Sequence, residues 1–247
     1  MKKISILGVN INNLSFADIL LKIDEFIYSM SPNLIVTPNA EIIVSATKDD
    51  DIKNILNSAS ISIPDSIGVI LAGKYLKTPF KERIPGIDLM MEILKQATSK
   101  KYGIYLLGAS PAVIQTAAKN INKKYPDLRI LGTMHGYFKN DEEQEVLDDI
   151  LDANPDILFV GMGSPYQEKW AIKHLHKLRV PVIMCVGGSF DVISGYLKRA
   201  PKWMQKIGLE WLYRFMQQPS RLKRILVLPF FIYLLIKKQM FVSKYTK

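Results

Sequence analysis

The sequence predicts an α/β protein, a mostly parallel sheet covered by helices on both faces, followed by a C-terminal helical appendage of different composition. Three observations carry this. From Lys3 to about Gly195, short β-rich runs alternate with helix-length amphipathic segments. Several of the β-rich runs are apolar throughout, as strands covered on both faces are. After Gly195 the β-rich runs stop and the charge changes: residues 196–247 hold 12 of the 33 basic residues and one of the 23 acidic ones, Glu210, leaving residues 1–195 at −1 and the remainder at +11.

In chain order, residues 4–9 (ISILGV) read as a first strand, and 16–28 as a helix with apolar residues every three or four positions. Residues 34–37 (LIVT) are a strand leading into a helix at 40–57, and 61–63 (ISI) a short strand. A helix at 88–99 precedes a strand at 103–107 (GIYLL), and a helix at 111–125 precedes a strand at 129–131. The last pairs are a helix at 141–151 with a strand at 157–160 (ILFV), and a helix at 165–178 with a strand at 182–186 (VIMCV). Ser110-Pro111 and Ser164-Pro165 each read as an N-cap followed by a first-turn proline. Together these make a Rossmann-like domain over 1–195. The appendage covers 196–247, with a helix break at Pro219.

Within the appendage an uncharged run, residues 225–236 (ILVLPFFIYLLI), is bracketed by Arg221, Lys223 and Arg224 before it and by Lys237 and Lys238 after it. Basic residues with aromatics also fit nucleic acid, but phosphate contacts leave so long an apolar run without a role. An anionic membrane surface accounts for both features. Twelve helical residues cover about 18 Å against a hydrocarbon core of about 30 Å, and Pro229 interrupts them, so the run is expected to lie in the interface without spanning. A helix buried in the core or in an oligomer interface is the alternative. A homo-oligomer stays open.

The N-terminus lacks the apolar stretch and small-residue cleavage pattern of a secretory signal, which places the expected body in the cytoplasm. Cys185 is the single cysteine, so neither an internal disulfide nor a cysteine metal cluster is available. His135, His174 and His176 are too scattered for a zinc site, and Asp49-Asp50-Asp51 reads as a solvated charge run. No metal and no cofactor are expected.

Ligands of open α/β sheets bind beyond the carboxyl ends of the strands. Five such ends carry informative residues: those starting at Thr37, Asp65, Gly108, Gly161 and Gly187. Asp65 follows an apolar strand directly, where partial burial would raise its basicity, and is the candidate general base; capping the next helix is the competing role. The small-residue turns at 108–111 and 161–165 suit close approach of a phosphate to backbone N–H groups. Gly161-Met162-Gly163 lacks a third glycine at Tyr166, and no P-loop occurs, which removes support from dinucleotide and P-loop chemistry.

Several ordered blocks carry a family likeness: Thr37-Pro38-Asn39-Ala40-Glu41, Pro64-Asp65, residues 83–88 (RIPGID), 105–108 (YLLG), 135–138 (HGYF), 161–168 (GMGSPYQE), 187–191 (GGSFD) and, in the appendage, 198–201, 209–214 and 219–222. In order and spacing, over nearly the whole chain, they resemble the WecG/TagA/CpsF glycosyltransferases. Ser66 and Tyr166 depart from the family's usual Gly and Lys. The resemblance implies an inverting, metal-independent transfer of N-acetylmannosamine from UDP-N-acetylmannosamine to the 4-hydroxyl of GlcNAc on undecaprenyl diphosphate, as in wall teichoic acid linkage-unit synthesis. Asp65 would deprotonate the acceptor hydroxyl. Thr37, Asn39, Arg83 and Gln167 would position sugars and phosphates, and Gly108, Gly187, Gly188 and Asp191 would line the nucleotide pocket. The enzyme would then sit peripherally on the cytoplasmic face of the plasma membrane. A different UDP-sugar donor and a non-catalytic lipid-binding adaptor are the rival readings.

On one helical wheel Glu210, Arg214, Arg221 and Arg224 share an arc of roughly 80°. Arginines suit bidentate contact with a diphosphate, so Arg214, Arg221 and Arg224 are candidate clamps on the leaving UDP, with headgroup binding as the alternative.

Overall fold

The computed structural model describes residues 2–219 and 222–245, with side chains described for 2–219 and 226–240. Strands β1 (Lys3–Ile6) and β2 (Val9–Asn12) come first, then α1 (Phe16–Ser29), β3 (Asn33–Val36), α2 (Ala40–Ala46), α3 (Asp50–Ser58) and β4 (Ile61–Ser62). The middle of the chain forms α4 (Ile67–Tyr75), α5 (Gly86–Lys100), β5 (Gly103–Gly108), α6 (Pro111–Lys124) and β6 (Arg129–Met134). Then come α7 (Glu143–Ala153), β7 (Ile157–Gly161), α8 (Tyr166–Leu178), β8 (Val182–Cys185) and α9 (Ser189–Ile193). The C-terminal segment is helical: α10 (Lys202–Lys206), α11 (Glu210–Gln217) and α12 (Leu222–Tyr245).

Six strands form one parallel sheet in the order β4-β3-β8-β7-β5-β6, as the alternation of elements requires. Both faces are covered, and successive residues of one strand serve opposite cores. In β7, Ile157 and Phe159 pack with α1, α5, α6 and α9, whereas Leu158 and Val160 pack with α2, α3, α4, α7 and α8.

Three expectations change in the body of the chain. Residues 4–9 do not form a strand of this sheet: Leu7 and Gly8 both take positive φ, 51° and 94°, and turn the chain back as an antiparallel β1–β2 hairpin. The hairpin is fixed to the sheet edge by Asn12, whose Oδ1 accepts the Ser62 N–H at 2.9 Å. The helix expected at 40–57 is two helices, because Asp49 caps α3 by accepting from the Asp51 and Ile52 N–H groups at 2.9 and 3.2 Å. Asp49 is therefore a cap and an ion-pair partner of Lys169, not part of a solvated run. Finally, Ser164 is not a cap: the Ser164–Pro165 peptide is cis, the helix begins at Tyr166, and no side chain caps it. Ser110 holds the N-cap position of α6 without a side-chain cap bond.

In the C-terminal segment, α12 runs unbroken through Pro229, contrary to the expected interruption. Its inner face packs on α2 and buries Phe231 and Leu235 in the core shared with α2, α3 and α8. Leu226, Ile232, Tyr233, Ile236 and Met240 face outward. Among the described residues no helix is long and apolar enough to cross a membrane.

Candidate active site

The carboxyl ends of the strands surround one cavity of about 550 Å³. Thr37, Asn39 and Glu41 follow β3, Asp65 and Ser66 follow β4, and Ala109 and Ser110 follow β5. Gly163, Ser164, Gln167 and Glu168 follow β7, and Gly187, Gly188 and Asp191 follow β8. The sixth strand also contributes, through Gly136 and Tyr137 after β6, an end that was not among the five expected although its residues 135–138 carry the family likeness. Arg83 just before α5 and Gly86 at its start add to the lining, and Glu210, Trp211, Arg214 and Phe215 of α11, with Leu228 of α12, form a further wall.

Asp65 does not cap the helix after it. Ser66 does, accepting the Val69 N–H on its Oγ at 3.4 Å, so the residue that departs from the family pattern takes the capping role. The Asp65 carboxylate instead accepts the Gly86 N–H at 3.0 Å, and its carbonyl accepts Arg83 Nε at 2.7 Å. Burial pushes this carboxyl above its ordinary value, with Glu210 adding to the effect. The Gly86 N–H and the Arg83 and Arg214 guanidiniums oppose it.

Arg83 is part of the frame. Besides Asp65, it donates to the Gln205 carbonyl at 3.3 Å and pairs with Glu210 at 3.1 Å. Gln167 is also engaged within the protein: its Oε1 accepts the Gly187 N–H at 3.0 Å, and its Nε2 donates to Glu168 at 2.8 Å. Asn39 caps α2 through the Ile42 N–H at 3.1 Å, and Thr37 Oγ1 reaches the Cys185 carbonyl at 3.5 Å. These side chains hold the turns that shape the cavity.

Gly108 stands behind the wall, not on it. Its φ is +138°, and a Cβ there would lie 2.3 Å from the Gly161 carbonyl oxygen, so its task is to let the ends of β5 and β7 meet. Gly187, at φ +54°, faces open space. A Cβ on Gly188 would lie 3.2 Å from Asp191 Oδ2 and 3.9 Å from Arg214 Nη2, which puts that guanidinium over the β8–α9 turn. Arg214 thus reaches the cavity. Arg221 lies outside the described residues, as does the Arg224 side chain. The break expected at Pro219 is present, with α11 and α12 as separate helices on either side of it, so one continuous wheel does not describe this segment.

Two carboxylates at the site had no role assigned from the sequence. Glu210 bridges Arg83 and Arg199, and Arg199 holds Asp88 in the first turn of α5. Glu168 is 4% exposed with one carboxylate oxygen lacking a hydrogen-bond partner, and burial raises its pKa against the Gln167 amide. His174 lies elsewhere, against Trp170 and Glu143 in the α7–α8 packing. No cluster of three or more metal-ligating side chains occurs among the described residues.

A doubly covered parallel sheet with a wide polar cavity over its strand ends is built to hold a small-molecule ligand there, and the comparisons with known proteins place the chain among the glycosyltransferases. The model of the Glycosyl transferase WecG/TagA/CpsF family matches residues 4–245. The chain belongs to that family. It is 38% identical over 231 residues to the N-acetylglucosaminyldiphosphoundecaprenol N-acetyl-beta-D-mannosaminyltransferase of Bacillus subtilis (strain 168), covering 94% of this chain and 89% of that one. To the enzyme of the same name from Staphylococcus aureus (strain MW2) it is 36% identical over 244 residues, covering 98% and 95%.

Proposed function

We propose that this protein moves N-acetylmannosamine from UDP-N-acetylmannosamine to the 4-hydroxyl of GlcNAc on undecaprenyl diphosphate, with inversion and without a metal. The observation that carries the mechanism is the setting of Asp65: a carboxylate at the cavity wall, made more basic by burial and aimed by the Gly86 N–H. Asp65 takes the proton of the acceptor hydroxyl as that oxygen attacks the anomeric carbon from the face opposite UDP. The C1–O bond to the diphosphate breaks, and UDP departs with the electron pair. Inversion at the anomeric carbon gives a β-linkage.

Arg214 is placed over the β8–α9 turn to neutralise charge developing on the departing diphosphate, with Arg221 and Arg224 proposed as further clamps. Gly187, Gly188 and Asp191 line the wall proposed for the nucleotide. Gly108 shapes that wall from behind. Thr37 and Asn39 line the same cavity as Asp65 and are proposed to meet the acceptor sugar.

The outward apolar residues of α12, followed by Lys237 and Lys238, support a peripheral position on an anionic membrane, proposed to be the cytoplasmic face of the plasma membrane where a lipid-borne acceptor is presented. Residues 196–247 are proposed as the membrane-facing part and 1–195 as the catalytic body. The test is a donor panel of UDP-N-acetylmannosamine, UDP-N-acetylmannosaminuronic acid and UDP-glucose with a short-chain GlcNAc-diphospholipid, run with EDTA. Acceptor-dependent UDP release with the first donor alone is expected. Preference for another donor, or loss of rate that added Mg²⁺ restores, overturns this reading.

A further inference from the structure

Asp65 is held at two points, and both lead to the same distant residue. Its carbonyl is gripped by Arg83, whose Nη2 ends on Glu210 Oε2 at 3.1 Å. Its carboxylate is aimed by the N–H of Gly86, the first residue of α5. Two residues further along that helix, both carboxylate oxygens of Asp88 are taken by Arg199, with Nη2 at 2.7 Å from Oδ2. The Nε of Arg199 is buried and lies 3.6 Å from Glu210 Oε1, too long for a hydrogen bond but close enough for a charge contact. Glu210 thus presents one oxygen to each guanidinium, and its side chain is only 18% exposed.

Position in the sequence sharpens the point. Glu210 is the single acidic residue in a segment with 12 basic ones. It meets the two arginines that frame Asp65.

We propose that Glu210 is the positioning residue for Asp65: by holding Arg83 and Arg199 it fixes both the Asp65 carbonyl and the helix start that aims the Asp65 carboxylate, and it offsets their positive charge. The catalytic consequence rests on the proposed function above; the coupling of Glu210 to Asp65 does not. The charged groups facing Asp65 are Arg83, from the segment before α5, and Glu210 and Arg214 from α11, with Arg199 and Asp88 one contact further out. Two of the facing groups are cations, so removing Glu210 leaves their field unopposed and makes the Asp65 carboxylate a weaker base.

The test uses Glu210→Gln, which keeps side-chain size and removes the charge. Titration of the ¹³C-labelled Asp65 carboxyl, assigned by its absence in Asp65→Asn, reads the coupling directly. The pH profile of kcat/KM, with the lipid acceptor and UDP-N-acetylmannosamine, reads its consequence. In Glu210→Gln the carboxyl midpoint and the acid limb of kcat/KM are expected to move together to lower pH. The plateau should fall by about tenfold to a hundredfold, the scale of a misplaced reacting group, while KM for the donor holds. A midpoint and limb at their wild-type positions overturn the proposal, whether or not the rate falls. If Glu210→Gln fails to fold, Glu210→Asp keeps the charge on a shorter arm: a lower plateau with an unchanged midpoint is expected, and a wild-type plateau overturns it. The carboxyl titration gives its answer even if the wild type shows no sugar transfer, a result that would count against the proposed function alone.

Discussion

Asp65→Asn is predicted to separate activity from stability in opposite directions. Asparagine keeps an oxygen to accept the Gly86 N–H, so the 3.0 Å contact that aims the side chain survives. What disappears is a base. The loss of turnover is expected at about 10² to 10⁴, the usual share of general-base catalysis, which corresponds to roughly 3 to 5 kcal/mol of transition-state stabilisation. Stability should move the other way. Burial raises the folded-state pKa of Asp65 above its ordinary 3.8. A carboxyl shifted upward contributes its full stability below the unfolded value and loses that contribution as pH rises through the folded value. At pH 7 the ionised side chain is therefore a cost to the fold that asparagine removes. Thermal melts should show the variant equal to or above the wild type at neutral pH, with the gap closing toward pH 3.8. A variant that melts well below the wild type at pH 7 would refute the electrostatic argument, and one that keeps the wild-type rate on the lipid acceptor would refute the catalytic one.

Gly108→Ala should destabilise the protein by about 3 kcal/mol or more, since its Cβ would meet the Gly161 carbonyl at 2.3 Å and its φ is +138°; a wild-type urea midpoint would disprove the close approach of β5 and β7. Phe231→Ala, at a side chain 2% exposed between α12 and α2, should cost about 3 to 5 kcal/mol and lower the melting temperature by about 10 °C. An unchanged melt would mean that α12 is not held on the body. Replacing Lys237 and Lys238 together by Gln should weaken sedimentation with anionic vesicles about 30-fold, from roughly 1 kcal/mol per lysine, with turnover on a water-soluble short-chain acceptor preserved. Equal vesicle binding by wild type and double variant would remove these lysines from the membrane contact.

The parallel sheet was legible because several of its strands are apolar on both faces, and five of its cavity-lining ends could be located from the polar residues that follow them. The hairpin was missed because Leu7-Gly8 lies inside an apolar run, where only the positive φ of both residues reveals a turn. The break between α2 and α3 turned on Asp49 as a cap, in a stretch whose three aspartates look alike on paper. Site residues were readable by place but not by partner. Arg83 and Gln167 stand where the sequence put them, yet their hydrogen bonds go to Asp65, Gln205, Gly187 and Glu168. The roles of Glu210 and Arg199 were not legible for a physical reason: they come from contacts 127 and 111 residues away, with Arg83 and Asp88, which no local pattern encodes. A lone acid in a basic segment was the available signal.

The central claim is that the cavity couples an Asp65-assisted attack by a lipid-linked sugar hydroxyl to departure of UDP. Its most direct measurement is a reaction of the purified full chain with UDP-N-acetylmannosamine and a short-chain GlcNAc-diphospholipid, with UDP counted and the product's anomeric configuration determined by NMR. The account predicts one UDP released per disaccharide formed, the new linkage β, and loss of both in Asp65→Asn. An α-linked product, or UDP released without a disaccharide, would contradict it.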